Sequence, residues 1–217
     1  MSPQVSRHYD QSYFDWQASI GEFGGWANAP TFARFIKPED DVLDFGCGGG
    51  WLLKNIPCRQ RLGVEVNPVA AKTARENGIE VYATIRGVPD RSVNVIISNH
   101  ALEHTLHPLH ELQALKSKMR PGGRLVFVVP CESVGVHYKP NDVNHHLYSW
   151  SPMCLGNLFS EAGYKVIEAK PHMYKWPPKY KLIARIGGRV AFDVLSRFYA
   201  LVARSYSQVR ILAQVES

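Results

Sequence analysis

A short apolar stretch that ends in an acid and leads into a glycine-rich turn constrains this chain more than any other feature. Residues 42–50 read Val-Leu-Asp-Phe-Gly-Cys-Gly-Gly-Gly. The apolar residues predict a buried parallel strand, and the glycines predict a turn whose backbone approaches a ligand closely, because glycine has no Cβ and accepts positive φ. With a helix expected at 51–54, the pattern predicts the first strand-turn-helix unit of a nucleotide-binding α/β sheet.

A second acid lies about 20 residues after the first, which is the usual place for the ribose-binding acid of such a unit. Glu65 ends the short run 61–64, and we interpret it as the partner of ribose hydroxyls. The alternative is an exposed acid at the end of a strand.

The sequence argues against two other kinds of nucleotide site. Asp44 would repel the pyrophosphate of a nicotinamide cofactor, whereas it suits a cationic group such as the amino group of a methionine moiety. The chain also has no Gly-Lys-Ser/Thr sequence, which excludes a P-loop. A nicotinamide-dependent oxidoreductase is therefore disfavoured.

Four motifs in consecutive order resemble those of the class I S-adenosylmethionine-dependent methyltransferases, specifically the small single-domain type 11 and type 12 enzymes. They are the glycine turn 44–50, the second strand 63–68, the fourth strand with Leu-Glu-His at 95–104, and the helix, Pro-Gly-Gly turn and fifth strand at 115–130. The resemblance implies a methyltransferase that binds S-adenosyl-L-methionine and releases S-adenosyl-L-homocysteine.

The resemblance also implies a set of cofactor-binding positions in the N-terminal segment, in the glycine turn and after the second, third and fourth strands. They are Tyr13, Asp44, Phe45, Gly46, Cys47, Gly48, Gly50, Glu65, Val66, Asn67, Ile85, Asn99 and His100. The family often has an acid near the adenine after strand three, and this chain does not. We therefore expect Ile85 and backbone groups to hold the adenine. Asn94 replaces an acid that is generally structural in the family.

Alternation of strands and helices predicts one domain over residues 1–217 with a doubly wound, Rossmann-like α/β fold. Further strands are expected at 80–84, 93–98, 164–169 and 209–215, and helices at 68–77, 107–119 and 152–162. The resemblance implies a seven-stranded sheet with an antiparallel last strand. The cofactor should lie at the carboxyl ends of strands one, two and four.

Methyl transfer requires the protein to align an acceptor with the activated methyl group and, for a hydroxyl acceptor, to remove a proton. Of the nine histidines, His100 follows strand four, and His145 and His146 follow strand five. These three are the candidate catalytic bases. Neighbouring side chains in an extended segment point opposite ways, so one of the last two should face the substrate, and we favour His145. His104 is interpreted as a packing or hydrogen-bonding residue.

A metal site is the competing interpretation of the loop after strand five. Asp142, His145 and His146 offer ligand atoms there. The resemblance argues against this interpretation, because metal-dependent O-methyltransferases gather several carboxylates and this loop offers one. No metal is therefore expected.

The N-terminal segment 1–30 is rich in aromatic residues. The resemblance implies a lid that folds over the cofactor, with Tyr9 or Tyr13 reaching the methionine carboxylate. The alternative is an amphipathic helix whose aromatic side chains pack on the sheet. Residues 21–29, which include three glycines, are interpreted as a hinge or loop.

A helical insertion at 170–208 separates strands six and seven. Gly187 and Gly188 divide it, and 189–204 has the periodicity of a helix. The predicted apolar stripe is Val190, Val194, Leu195, Phe198, Leu201 and Val202, opposed by Arg189, Asp193, Ser196, Arg197 and Arg204. Residues 175–210 hold eight basic groups and one acid, whereas the whole chain carries a net charge of +6. The basic charge is therefore concentrated in this insertion.

Three interpretations of the insertion remain open. It is a helix on the sheet edge with a solvated basic face, an interfacial helix in which 179–204 contacts anionic lipid, or a cap that attracts a phosphorylated or nucleotide-linked acceptor. Nucleic acid is not an expected partner, because the chain contains no known nucleic-acid-binding module.

The expected acceptor is a small molecule, a glycan or a lipid precursor that is methylated on a hydroxyl oxygen. The loop 144–152 and the segment 13–17 resemble methyltransferases of bacterial surface-polysaccharide synthesis. The alternative is a non-catalytic protein that keeps the fold and docks to a partner through its basic helix. A polar N-terminus, four scattered cysteines and no apolar run of about 18 residues predict a cytoplasmic protein, with peripheral contact at the inner membrane face.

Overall fold

A seven-stranded sheet forms the centre of the protein, for which a computed structural model describes residues 11–140, 142–203 and 206–216. The strands are β1 (Asp41–Phe45), β2 (Gln60–Val64), β3 (Glu80–Tyr82), β4 (Val93–Asn99), β5 (Met119–Glu132), β6 (Lys165–His172) and β7 (Tyr206–Gln214). Their order is β3-β2-β1-β4-β5-β7-β6. β7 is antiparallel to both of its neighbours, and the other pairs are parallel. The predicted Rossmann-like sheet with an antiparallel last strand is confirmed.

Helices cover both faces of this sheet. They are α1 (Gln11–Ala33), α2 (Trp51–Lys54), α3 (Pro68–Glu76), α4 (Pro108–Lys116), α5 (Pro152–Glu161) and α6 (Tyr180–Val202). Along β5, Leu125, Phe127 and Val129 join the apolar cluster that contains residues of α4 and α5, whereas Val126 and Val128 join the cluster of α1, α2 and α3. This alternation follows from the two-residue period of a strand, and it buries the sheet on both sides.

Strands six and seven extend beyond their predicted bounds. β6 and β7 pair from Lys165 opposite Gln214 to His172 opposite Gln208. Main-chain pairing of this length was not visible in the apolar pattern, which stops earlier. The segment between the two strands is therefore 173–205, and it is shorter than the predicted insertion.

The prediction of a hinge or loop at 21–29 is wrong, because α1 continues through this segment. A Cβ at Gly21 would lie 2.3 Å from the Trp51 ring, and a Cβ at Gly25 would lie 2.3 Å from the Trp51 carbonyl oxygen. The glycines therefore serve close packing of α1 on α2 rather than a bend.

The insertion forms α6, which is interrupted at Gly188 (φ 64°, ψ −164°), so the predicted division at the glycine pair is confirmed. The basic face of the insertion is solvated as predicted, with Lys181, Arg185 and Arg197 exposed, but the predicted apolar stripe does not pack against the protein. Phe192 and Ser196 are buried, whereas the predicted apolar stripe is exposed to solvent. Among the described residues, no helix is both long and apolar enough to cross a bilayer.

Candidate active site

The predicted cofactor residues meet at one edge of the sheet. β1 lies between β2 and β4, so the residues that follow these three parallel strands are neighbours. The turn after β1 has positive φ at Gly46 (76°). A Cβ at Gly46 would lie 2.3 Å from the Cβ of Ala101, so the turn requires glycine for both its conformation and its close contact with the segment after β4.

Glu65 holds the glycine turn and the start of α3 together. Its Oε2 accepts a hydrogen bond from the Gly48 amide at 2.9 Å, and its Oε1 accepts one from the Asn67 amide at 2.7 Å. Burial raises the pKa of Glu65, although these two backbone hydrogen bonds oppose the rise. The side chain of Asn67 accepts from the Val69 amide at 2.9 Å and caps α3. Sequence reasoning gave Glu65 a ribose-binding role, and it lines a cavity together with Asn67.

Asp44 is almost completely buried, with 2% of its surface exposed. Burial, and then the neighbouring charge of Glu65, raise the pKa of Asp44 to about 7. A cationic ligand group would offset both effects by stabilising the ionised carboxylate. This environment fits the predicted ammonium partner. Burial also raises the pKa of the neighbouring Cys47 thiol, which is therefore protonated and unreactive.

A cavity of about 290 Å³ opens beside Glu65. Its walls combine apolar side chains from the ends of β1 and β2 with the turn after β3, and Ile85 is 4% exposed in that turn. The lining residues predicted from sequence are Phe45, Gly46, Glu65, Val66, Asn67, Ile85 and His100. An apolar slot next to a hydrogen-bonding carboxylate suits an adenine and its ribose.

A second cavity, of about 520 Å³, meets the first at Gly46, His100 and His104, which line both. Asp44, Cys47, Gly48 and Asn99 are the predicted cofactor residues that line only this second cavity. Its other walls include residues of α1 and α2, of β5 and the loop after it, of the start of the inserted segment and of β7. The methionine end of the cofactor and an acceptor therefore have one continuous space.

Two histidines on the wall of the second cavity, His100 and His146, are each paired with a carboxylate. His100, with φ 58°, places its Nδ1 3.0 Å from the Oε1 of Glu103. His146 places its Nδ1 2.8 Å from the Oε1 of Glu132, and its Nε2 4.0 Å from the Oε1 of Glu103. Glu103 is fully buried. Burial alone would raise its pKa, but the hydrogen bond and the electrostatic interaction with His100 lower it below its usual value.

Sequence reasoning missed both carboxylates. Glu103 lies three residues after His100, inside the Leu-Glu-His sequence, and Glu132 ends β5 at the same edge of the sheet as the cofactor turn. The rule that places ligands at the carboxyl ends of strands could have identified Glu132. The pairing of Glu132 with His146 depends on the path of the loop after β5, and no sequence pattern indicated it.

The same cluster offers a set of ligand atoms for a metal ion. Glu103, His104 and His146 each contribute one such atom, and these atoms lie within 4.8 Å of one another. Burial lowers the pKa of His104 to about 4, so its imidazole is neutral at physiological pH. Carboxylate and neutral imidazole suit a divalent transition metal. The sequence predicted no metal, and the competing ligand set that it suggested was a different one.

The remaining candidate residues lie apart from this cluster. His145 is exposed, and its amide donates to the carboxylate of Asp142, which is also exposed. Gly50 begins α2 with φ 78°. Tyr13 lies in α1, but its side chain is outside the described residues, as is all of Tyr9.

Comparisons with known proteins agree with this geometry. The chain is 31% identical over 98 residues to the ribosomal protein L11 methyltransferase of Burkholderia lata, which covers 42% of this chain and 32% of that relative. The chain thus spans about a third of the length of this curated relative. A methyltransferase-fold chain from Haloferax volcanii, in complex with the Trm112 activator, is similar with a TM-score of 0.65 and 19% identity over 94% of this chain and 98% of that one. An S-adenosylmethionine-dependent methyltransferase from Mesorhizobium loti has a TM-score of 0.56 and 17% identity over 87% and 97%.

The fold and the cofactor edge together define a class I S-adenosylmethionine-dependent methyltransferase. The family model described as a methyltransferase domain matches residues 22–169, which is more than half of the chain, and the chain belongs to this family. Its cofactor is S-adenosylmethionine. The acidic groups and the apolar slot fit this cofactor: Glu65 would hold the ribose, Asp44 the ammonium group and Ile85 the adenine.

Proposed function

We propose that this enzyme methylates a hydroxyl oxygen of a small-molecule, glycan or lipid-precursor acceptor, with His146 as the general base. The observation that carries the proposal is the pairing of His146 with Glu132 on the wall of the second cavity. A carboxylate only accepts hydrogen bonds, so the Nδ1–H of His146 donates to it. The Nε2 atom then carries the lone pair that a base needs.

His146 is better suited than His100 to hold the proton that an acceptor hydroxyl loses. Once protonated, its imidazolium would lie between two carboxylates, with Glu132 at 2.8 Å from Nδ1 and Glu103 at 4.0 Å from Nε2. This arrangement stabilises the charge that develops during transfer. His100 lines both cavities, and we assign it a positioning role where the cofactor and the acceptor meet.

S-adenosylmethionine supplies an activated methyl group, so the chain has only to orient the acceptor, exclude water and remove one proton. Tyr174 and Trp176 of the inserted segment, together with Gly24 of α1, border the acceptor side of the cavity. We propose that α1 is the described part of the predicted lid. The resemblance of the loop 144–152 to polysaccharide methyltransferases supports a cytoplasmic role in polysaccharide biosynthesis.

Replacement of the proposed base tests the assignment. His146→Asn should lower kcat by about a hundredfold or more, because a general base contributes roughly that much to a rate. The affinity for S-adenosylhomocysteine should be unchanged. His110→Asn is the matched control, since His110 is exposed on α4. The measurement is transfer of a labelled methyl group to hydroxyl-bearing glycans and lipid precursors, with kcat followed against pH.

The acceptor screen should include one protein as well, because the curated relatives are named for a protein acceptor. Those relatives are ribosomal protein L11 methyltransferases, so ribosomal protein L11 is the appropriate protein acceptor to include. Methylation of the protein and of no hydroxyl acceptor would contradict the proposal. A full rate in His146→Asn on a hydroxyl acceptor would contradict the assignment of the base.

A second candidate chemistry is favoured by the convergence of Glu103, His104 and His146. A divalent cation bound there would lower the pKa of an acceptor hydroxyl directly. Metal content of the purified enzyme, and activity after chelation and add-back, separate the two chemistries. Activity that is lost on chelation, returns with one metal and is missing in Glu103→Gln would support the metal. Activity that survives chelation would support the histidine base.

A further inference from the structure

Helix α6 packs on the rest of the protein through the side that carries Arg189 and Asp193. The guanidinium carbon of Arg189 lies 3.5 Å from the centroid of the Trp26 ring, and its Nη1 donates to the Ala27 carbonyl at 3.1 Å. The hydroxyl of Tyr174 donates to Asp193 at 2.9 Å. Phe192 is fully buried on the same side. These specific contacts fix the rotation of the helix about its axis.

The opposite side of the helix is apolar and faces solvent. Val190, Val194 and Phe198 are 76%, 60% and 64% exposed. On a helix these positions follow one another at intervals of four residues and form one stripe. Further exposed apolar residues of α6 are Leu182, Ile186, Leu195, Leu201 and Val202. Isolated exposed apolar residues are common on proteins, but a continuous apolar helix face marks a contact site.

Basic side chains border this apolar face. Lys179, Lys181, Arg185 and Arg197 are exposed. Within the described residues 175–203, Asp193 is the one acid, and it is held by Tyr174 on the buried side. An apolar stripe bordered by cations without acids matches the headgroup region of an anionic bilayer, which offers acyl chains below and negative charge above.

We propose that the outward face of α6 docks this enzyme on an anionic phospholipid surface, with the stripe at Val190, Val194 and Phe198 in the interface. A second copy of the chain is a poorer occupant, because face-to-face packing would bring the two sets of exposed cations together. Residues 174–176 line the acceptor cavity just before the helix. Docking would therefore bring that cavity near the lipid surface. This last step rests on the proposed function and favours its lipid-linked acceptors.

Co-sedimentation with vesicles tests the docking. The full chain should sediment with vesicles that contain phosphatidylglycerol and should bind phosphatidylcholine vesicles weakly. The double variant Val194→Ser/Phe198→Ser should lower the partition coefficient by at least about tenfold, because it removes apolar surface that docking would bury in the lipid. The matched control is Met153→Ser/Ile167→Ser, which alters two exposed apolar residues outside α6.

A second pair of variants tests the charge. Lys181→Gln/Arg185→Gln should weaken binding to the anionic vesicles and reduce its dependence on salt. The control Lys72→Gln/Lys165→Gln removes the same charge from exposed positions elsewhere. All variants should keep their affinity for S-adenosylhomocysteine and their rate on a soluble acceptor, so docking can fail without any failure of the proposed function.

Three results would overturn the docking proposal. They are no sedimentation of the wild type, equal sedimentation with neutral and anionic vesicles, and equal losses in the α6 variants and their controls. A dimer in sedimentation velocity that Val194→Ser/Phe198→Ser dissolves would also overturn it, because the face would then be an interface between copies.

Discussion

The cofactor edge and the inserted helix differ in which side chains have partners within the protein. At the cofactor edge, Asp44 is buried with its pKa raised to about 7, in surroundings that a cationic ligand would complete. In α6, the partly buried polar groups Arg189 and Asp193 already have partners within the protein. There it is the apolar side chains that face water. The first region therefore suits a cationic ligand group, and the second suits an apolar surface.

The largest effect is expected from substitution of the most closely packed glycine of the cofactor turn, which should destabilise this region. Gly46→Ala adds a Cβ 2.3 Å from that of Ala101 at a φ of 76°. We expect a loss of about 3 kcal/mol in the free energy of unfolding, measured by urea denaturation, from strain and overpacking together. Gly78→Ala is the matched control, because Gly78 has φ 82° with nothing within 4 Å of an added Cβ. It should lose about 1 to 2 kcal/mol. Equal losses would show that the contact with Ala101 adds nothing.

The acid of the cofactor region should make ligand binding depend on pH. The pKa of Asp44 is raised to about 7 in the free protein, so the carboxylate is ionised only above that pH. Binding of an ammonium group requires the ionised form and releases a proton below pH 7. Affinity for S-adenosylhomocysteine should therefore fall as pH falls, by about tenfold from pH 8 to pH 6 in calorimetric titration.

Asp44→Asn should remove this pH dependence and weaken binding at pH 8 by about 1 to 3 kcal/mol. Glu80→Ala is the control, since Glu80 is an exposed acid on β3. A pH-independent affinity in the wild type would contradict the assignment of Asp44 as the ammonium partner.

The smallest effect on stability is expected at the contacts that hold α6 against α1. Arg189→Ala removes the stacking on Trp26 and a hydrogen bond to Ala27. Thermal unfolding should show a loss of about 1 to 2 kcal/mol. Arg185→Ala, at an exposed position of the same helix, should change stability by less than about 0.5 kcal/mol. If the two variants lose the same stability, the polar side of α6 does not hold the helix in place.

The same contrast explains which features could be predicted from the sequence. The glycine turn, Glu65 and the strand pattern are local signals, and the sheet and most of the cofactor edge followed from them. The periodicity of α6 gave its stripe correctly, but a helical pattern does not say which side meets the protein. That choice depends on Trp26, which is 163 residues from Arg189 in the chain, and on Tyr174, which lies outside the helix.

Two further features were beyond sequence reasoning for the same reason. The glycines of α1 predicted a hinge, because the close approach of Trp51 that explains them is tertiary. The proposal of His146 rather than His145 rests on Glu132, which the loop after β5 brings to 2.8 Å from the His146 ring.

Gly46, His100 and His104 line both cavities. This shared wall has a consequence for how the cofactor and the acceptor influence each other's binding. If the methionine end of the cofactor and the acceptor share the second cavity, each alters a surface that the other contacts, and their binding free energies are coupled. Thermodynamic linkage makes this coupling reciprocal: the factor by which an acceptor changes the affinity for S-adenosylhomocysteine equals the factor by which S-adenosylhomocysteine changes the affinity for that acceptor. An acceptor can therefore be recognised before any turnover is seen, by the shift that it causes in cofactor binding.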